Sequence, residues 1–248
     1  MRRKIVYLLI TLLLAGLVSS LVFLPDPGRE SEHGDKDIVV LIHGLARGNA
    51  VMWLLASRLE DAGFHVHRVG YSSLNRSPEQ MLEEVQSQID ECCVAHPRRV
   101  HFVGHSMGGL LIRAYLEDRS VENLGRVVLI GTPNQGTEVV DRFRDRWWMQ
   151  MLGPAALSLG TDDESFPKSL APPYYPVGVI AGESRLDIDD EILPGKDDGL
   201  VPVEATKLEG MSDFIVVESG HALMRYDEEV ARQTVAFLSD GEFLRYVE

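Results

Sequence analysis

A serine hydroxyl attacks carbonyl carbon only when a base takes its proton and a third group holds that base in place. Val100-His101-Phe102-Val103 leads into Gly104-His105-Ser106-Met107-Gly108-Gly109 and then into an apolar stretch. Strand, tight turn and helix are thus expected in succession, the setting in which a Gly-x-Ser-x-Gly match carries weight. The flanking glycines have a steric purpose, because side chains at 104 and 108 would strike the neighbouring strand and helix and keep Ser106 from standing above them. The helix that opens at Met107 sets its positive end beside the hydroxyl and favours negative charge there.

After a serine elbow of this kind the chain supplies first the acid and then the base. Of the eight histidines only His221 follows Ser106, in Glu218-Ser219-Gly220-His221. His33, His43, His65, His67, His96, His101 and His105 all precede the serine and are set aside as the base. The acid is sought in Gly195-Lys196-Asp197-Asp198-Gly199-Leu200-Val201-Pro202. Asp198 is preferred, since it stands directly before a glycine and an apolar pair where a turn can aim its carboxylate, and Asp197 is the alternative. Asp187, Asp189 and Asp190 read as a solvated acidic surface.

A tetrahedral intermediate needs two donors on its oxyanion. The N–H of Met107 is one, and Leu45 in His43-Gly44-Leu45-Ala46-Arg47-Gly48 is expected to give the other. His43 has no second metal ligand near it in sequence and reads as shaping this loop. Chemistry of this kind calls for no metal and no cofactor. Two cysteines cannot make a four-ligand zinc site, and no calcium site stands out.

These residues require strands that end at one edge of a sheet. Short β-branched runs fall at Ile38 to Ile42, His65 to Tyr71, Val100 to Val103, Arg126 to Ile130, Val177 to Ala181 and Phe214 to Glu218. Amphipathic stretches alternate with them at Ala50 to Ala62, Pro78 to His96, Met107 to Asp118 and Asp227 to Leu238. The pattern predicts an α/β fold with a mostly parallel sheet of about six strands and helices on both faces. Residues 137–176 are too long for a plain connection and are expected to form a short cap insertion. Trp147 and Trp148 in that cap are candidates both for packing it down and for lining a substrate pocket.

The 248 residues fit one folded domain, and a net charge of −14 repels phosphate backbones, which argues against nucleic acid as a partner. Arg2-Arg3-Lys4 followed by an apolar run from Ile5 to Leu24 predicts a single-pass signal anchor, or a signal peptide if it is cleaved. The basic flank would stay cytoplasmic and send the rest across the membrane, with residues 25–37 as a tether and 38–248 as the catalytic domain. A cleaved form would be secreted or periplasmic. Cys92 and Cys93 are adjacent, a bridge between neighbours closes a strained ring, and both are expected to pack a helix without a disulfide.

From about Asp37 to Leu238 the chain resembles the α/β-hydrolase superfamily, in particular its compact lipase and esterase branch. Val39-Val40-Leu41-Ile42-His43-Gly44-Leu45 resembles the oxyanion loop of that branch, and Gly104 to Gly108 its nucleophile elbow. Gly131-Thr132-Pro133-Asn134-Gln135-Gly136-Thr137 is similar to a stretch of bacterial lipases and glycosylphosphatidylinositol deacylases, and Asp198-Gly199-Leu200-Val201 to the segment with their catalytic Asp. The antiparallel strands with which the family usually begins are missing, and the cap is shorter and less hydrophobic than in true lipases. The resemblance implies a carboxylic ester hydrolase acting on a small-molecule or lipid ester through Ser106, His221 and Asp198. Acyl transfer or thioester hydrolysis by the same triad is the alternative within enzymes, and a catalytically silent membrane-anchored binding module is the alternative outside them.

Overall fold

Ile38–Ile42 (β1) is five consecutive apolar residues, all buried, and such a run is stable only inside a sheet covered on both faces. The computed structural model describes residues 36–45, 48–93, 97–184 and 192–245 and places β1 in such a sheet. With it stand β2 (His65–Val69), β3 (Val100–His105), β4 (Leu124–Ile130), β5 (Val177–Gly182) and β6 (Asp213–Val217). Their order is β2-β1-β3-β4-β5-β6, and every pair is parallel. The chain has the α/β-hydrolase fold, with its six strands close to the runs expected from sequence.

Alternate residues of each strand feed two cores. Val39 and Leu41 join Leu55 and Leu59 of α1 (Trp53–Asp61) on one face, while Val40 and Ile42 meet Met81 and Val85 of α2 (Pro78–Cys92) and Leu110 and Leu111 of α3 (Met107–Asp118) on the other. Ser77 caps α2 by accepting from the Gln80 N–H, and the Gln80 side chain accepts from the Ser77 N–H in return, with Pro78 opening the helix.

Between β4 and β5 lie four one- or two-turn helices: α4 (Glu138–Phe143), α5 (Trp147–Gln150), α6 (Pro154–Leu157) and α7 (Phe166–Ser169). The chain closes with α8 (Val203–Thr206) and α9 (Glu228–Asp240), whose Asp227 cap accepts from two backbone N–H groups. Val230 and Phe237 of α9 complete the core that α1 covers.

One expectation is corrected. Cys92 and Cys93 are joined in a disulfide. Cys92 is the last residue of α2 and Cys93, its C-cap, leaves helical geometry at φ −135°, ψ −24°, so the bridge joins the end of the helix to the residue that terminates it. Cys93 still packs in the core, as a buried cysteine is expected to do. Among the described residues no helix is long and apolar enough to cross a membrane. The expected anchor, and the tether up to residue 35, lie outside those residues.

Candidate active site

Because all six strands run the same way, the loops after their C-terminal ends gather at one edge, where ligands of open α/β sheets bind. Ser106 stands there between β3 and α3 with φ 55° and ψ −124°, a left-handed conformation that L-residues rarely take and that costs on the order of 1–3 kcal/mol. Its N–H donates to the Ile130 carbonyl at 2.9 Å, tying the elbow to β4. A methyl group at Gly104 would stand 2.5 Å from the Gly109 nitrogen, and one at Gly108 would collide with the Ile42 and His43 carbonyls. The steric reason given for these two glycines is thus visible as close backbone approach.

His221 lies in the loop after β6, and Asp198 in the loop after β5. The Asp198 carboxylate only accepts, so His221 Nδ1 donates its proton to Oδ2 at 2.7 Å and leaves Nε2 to accept from the Ser106 hydroxyl at 3.0 Å. Asp198 is 3% exposed, and its other oxygen accepts from the Leu200 and Val201 N–H groups at 3.0 and 2.7 Å. Asp197 turns away and accepts from the Gly199 N–H. Three residues from three separate loops therefore meet in one hydrogen-bonded chain, the arrangement by which a serine proton can pass to an imidazole that a buried carboxylate orients.

The loop after β1 lies against the serine, for a methyl at Gly44 would stand 3.0 Å from Ser106 Cβ. His43 shapes this loop, as expected. Nδ1 donates to the Gly44 carbonyl at 2.8 Å, Nε2 faces the Tyr71 N–H at 3.4 Å, and the ring stacks on Tyr71 with centroids 4.2 Å apart. The two ring nitrogens then have opposite roles, which only a neutral imidazole satisfies, and burial lowers the His43 pKa to about 4. A trans peptide points its C=O and N–H in opposite directions, so pinning the Gly44 carbonyl also fixes the direction of the Leu45 N–H. Met107 is the first residue of α3, where the N–H has no partner within the helix.

The tryptophans divide. Trp148 packs on Phe143, with ring centroids 5.4 Å apart, and on the core beneath the cap. Trp147 is 74% exposed. Among the described residues no three His, Cys, Asp or Glu side chains group so as to hold a metal ion.

Sequence reasoning missed three contributors. Gly131, singled out only as the start of a motif, has φ +54° and lies beside the hydrogen bond between Asp198 and His221. His105, set aside as a base, donates through Nε2 to the His221 carbonyl at 2.9 Å. Arg113 of α3 is 4% exposed and donates to Asn134 Oδ1 and to the carbonyls of Pro167, Leu170 and Ala171. Asn134 in turn donates to the Thr206 carbonyl, and the Thr137 hydroxyl to the Leu200 carbonyl, so one loop joins α3, the cap and the segment that carries Asp198. Adjacency to Ser106 was the one sequence signal for His105. Nothing local marked Arg113.

A family model described as palmitoyl protein thioesterase matches residues 38–170, more than half of the chain. The chain belongs to the palmitoyl protein thioesterase family. That match takes in Leu45, Ser106, Met107 and both cap tryptophans and stops before Asp198 and His221. The lysosomal thioesterase PPT2 homolog of Drosophila melanogaster is 27% identical over 106 residues, which are 40% of this chain and 36% of that protein. The chain thus spans little more than a third of that relative's length. Among solved structures, Bacillus licheniformis lipase BlEst2 in mature form superposes with a TM-score of 0.59 at 17% identity, over 87% of this chain and 92% of that one. A monoacylglycerol lipase of Paleococcus ferrophilus gives 0.55 at 18% identity, over 81% and 93%. At such identities the likeness is one of fold, and this thioesterase family shares it with lipases.

Proposed function

We propose that this chain is a serine acyl hydrolase that cleaves carboxylic thioesters and esters through an acyl-enzyme on Ser106. The observation that carries the reading is the continuous relay from the Ser106 hydroxyl through His221 to buried Asp198. His221 takes the serine proton as Oγ attacks the acyl carbon, and Asp198 stabilises the imidazolium. The N–H groups of Met107 and Leu45 receive the oxyanion. The imidazolium returns its proton to the leaving group, and His221 then activates water to release the acid. A thiolate departs more easily than an alkoxide, so the proton donor matters most for oxygen esters.

Family membership supports a thiol as leaving group. An alcohol is the second reading, favoured by His221 being placed to protonate it. The full chain should be labelled covalently by a fluorophosphonate on Ser106, and Ser106→Ala should lose the label. Folded protein that stays unlabelled would sink the proposal. A panel of acyl thioesters and p-nitrophenyl esters of short and long chain then ranks the two leaving groups, and silence across it would favour a binding module. To this reading belongs an anchor at Ile5 to Leu24 with the domain on the non-cytoplasmic side. A mature chain starting near residue 20 and free in solution would overturn that part.

A further inference from the structure

His105 is the residue between β3 and the nucleophile, and the chemistry proposed above leaves its side chain without a task. It is 4% exposed, and its backbone is fixed in the sheet opposite Ile130. A carbonyl oxygen only accepts, so the 2.9 Å contact to the His221 carbonyl requires a proton on His105 Nε2. The two imidazole rings lie 5.0 Å apart. On the other side, a methyl at Gly44 would come within 3.3 Å of His105 Nδ1, so the ring fills the space between the oxyanion loop and the base.

The backbone of His221 is thereby gripped on both sides. Its N–H donates to the Asp198 carbonyl at 2.8 Å, and its C=O receives the proton of His105. Side-chain bonds alone would leave a residue four positions beyond the end of β6 free to carry its ring away with its backbone. Rigid β3 supplies the missing restraint from the position next to the serine.

We propose that His105 is a positioning residue, holding the His221 imidazole at attack distance from Ser106 through the His221 backbone carbonyl. In kinetic terms this rests on the acyl-enzyme reading, whereas the structural tie does not. A displacement of the base by about 1 Å costs on the order of 100-fold in rate, and substrate binding does not use this bond.

The test compares three variants of the full chain. His105→Leu removes the donor, His105→Phe removes it while keeping ring bulk, and His105→Gln returns an N–H donor. Removal should lower kcat by on the order of 10- to 100-fold with KM changed less than about two-fold, and His105→Gln should recover most of the loss. The low-field proton resonance of His221 Nδ1–H on Asp198 gives a second readout, sharp in the parent and in His105→Gln and lost by exchange in His105→Phe. Parent-like kcat and resonance in the two donor-less variants would overturn the proposal. Equal losses in all three would do so as well, since bulk or packing would then be the cause. A parent that no phosphonate labels defeats the acyl-enzyme reading instead, and the proton resonance still decides the tie.

Discussion

Gly131 shows how a backbone atom can govern a site to which it contributes no chemistry. A methyl group there would stand 3.3 Å from both Asp198 Oδ2 and His221 Nδ1 and 3.0 Å from Met224 Sδ, against the hydrogen bond that joins Asp198 to His221. Gly131→Ala should therefore lower kcat by on the order of ten-fold or more, because it presses on the pair as well as straining a φ of +54°. Gly63→Ala is the control. Its φ is +99° with nothing near the added carbon, so it carries the backbone strain alone and should cost about 1 kcal/mol of stability with kcat unchanged. Steady-state kinetics and thermal melts of the two variants check this, and equal kcat in both would dismiss the steric argument. That Ser106, His221 and Asp198 would come together was legible in sequence, because their order and their glycines are local signals. Gly131 and His105 were not, since each acts on a residue about 70 or more positions away that only the sheet brings near.

At the scale of elements, the cap is bolted at one end. Arg113 reaches from α3 to the carbonyls of Pro167, Leu170 and Ala171 and to Asn134 Oδ1, so its two terminal nitrogens donate to neutral oxygens while the buried Nε has no hydrogen bond. Burial also lowers its pKa from the ordinary arginine value. Arg113→Met strips those oxygens of their donor and is expected to cost about 3 kcal/mol. Arg113→Lys should recover little, because an ammonium cannot reproduce the planar fork. Urea unfolding gives the stability, and limited proteolysis should show new cutting within residues 160–171; unchanged cutting there would mean that the clamp is not what holds the cap. The strands and the main helices could be read from alternation and capping residues, down to Ser77 and Pro78. The four short cap helices could not, since elements of one or two turns carry no period; the first is tied to the Asp198 segment through Thr137 and the last to α3 through Arg113. The Cys92–Cys93 bridge escaped for a related reason, as the end of α2 decides whether neighbours can be joined.

For the molecule as a whole, burial of uncharged imidazoles sets an acid limit. Desolvation is the first cause that lowers His43 and His101 to about 4, from 6.5 in the unfolded chain. Between these values the unfolded chain binds more protons than the folded one, so stability is intact above about pH 6.5 and declines as pH falls toward about 4. The combined loss is of the order of a few kcal/mol. Urea midpoints measured across this window should fall steadily and should fall less in His101→Gln; a flat profile would contradict the neutral state of both rings. The parallel sheet has a further consequence, in time. Ser106 and His221 are separated by 115 residues, and His221 follows β6, which among the described residues is an edge strand paired with β5. A renaturing chain can assemble β1 to β5 and the turn at Ser106 and still have His221 undocked. Return of Ser106 reactivity is then a clock for one event, the docking of β6, and in a refolding experiment it should lag behind the recovery of helix signal.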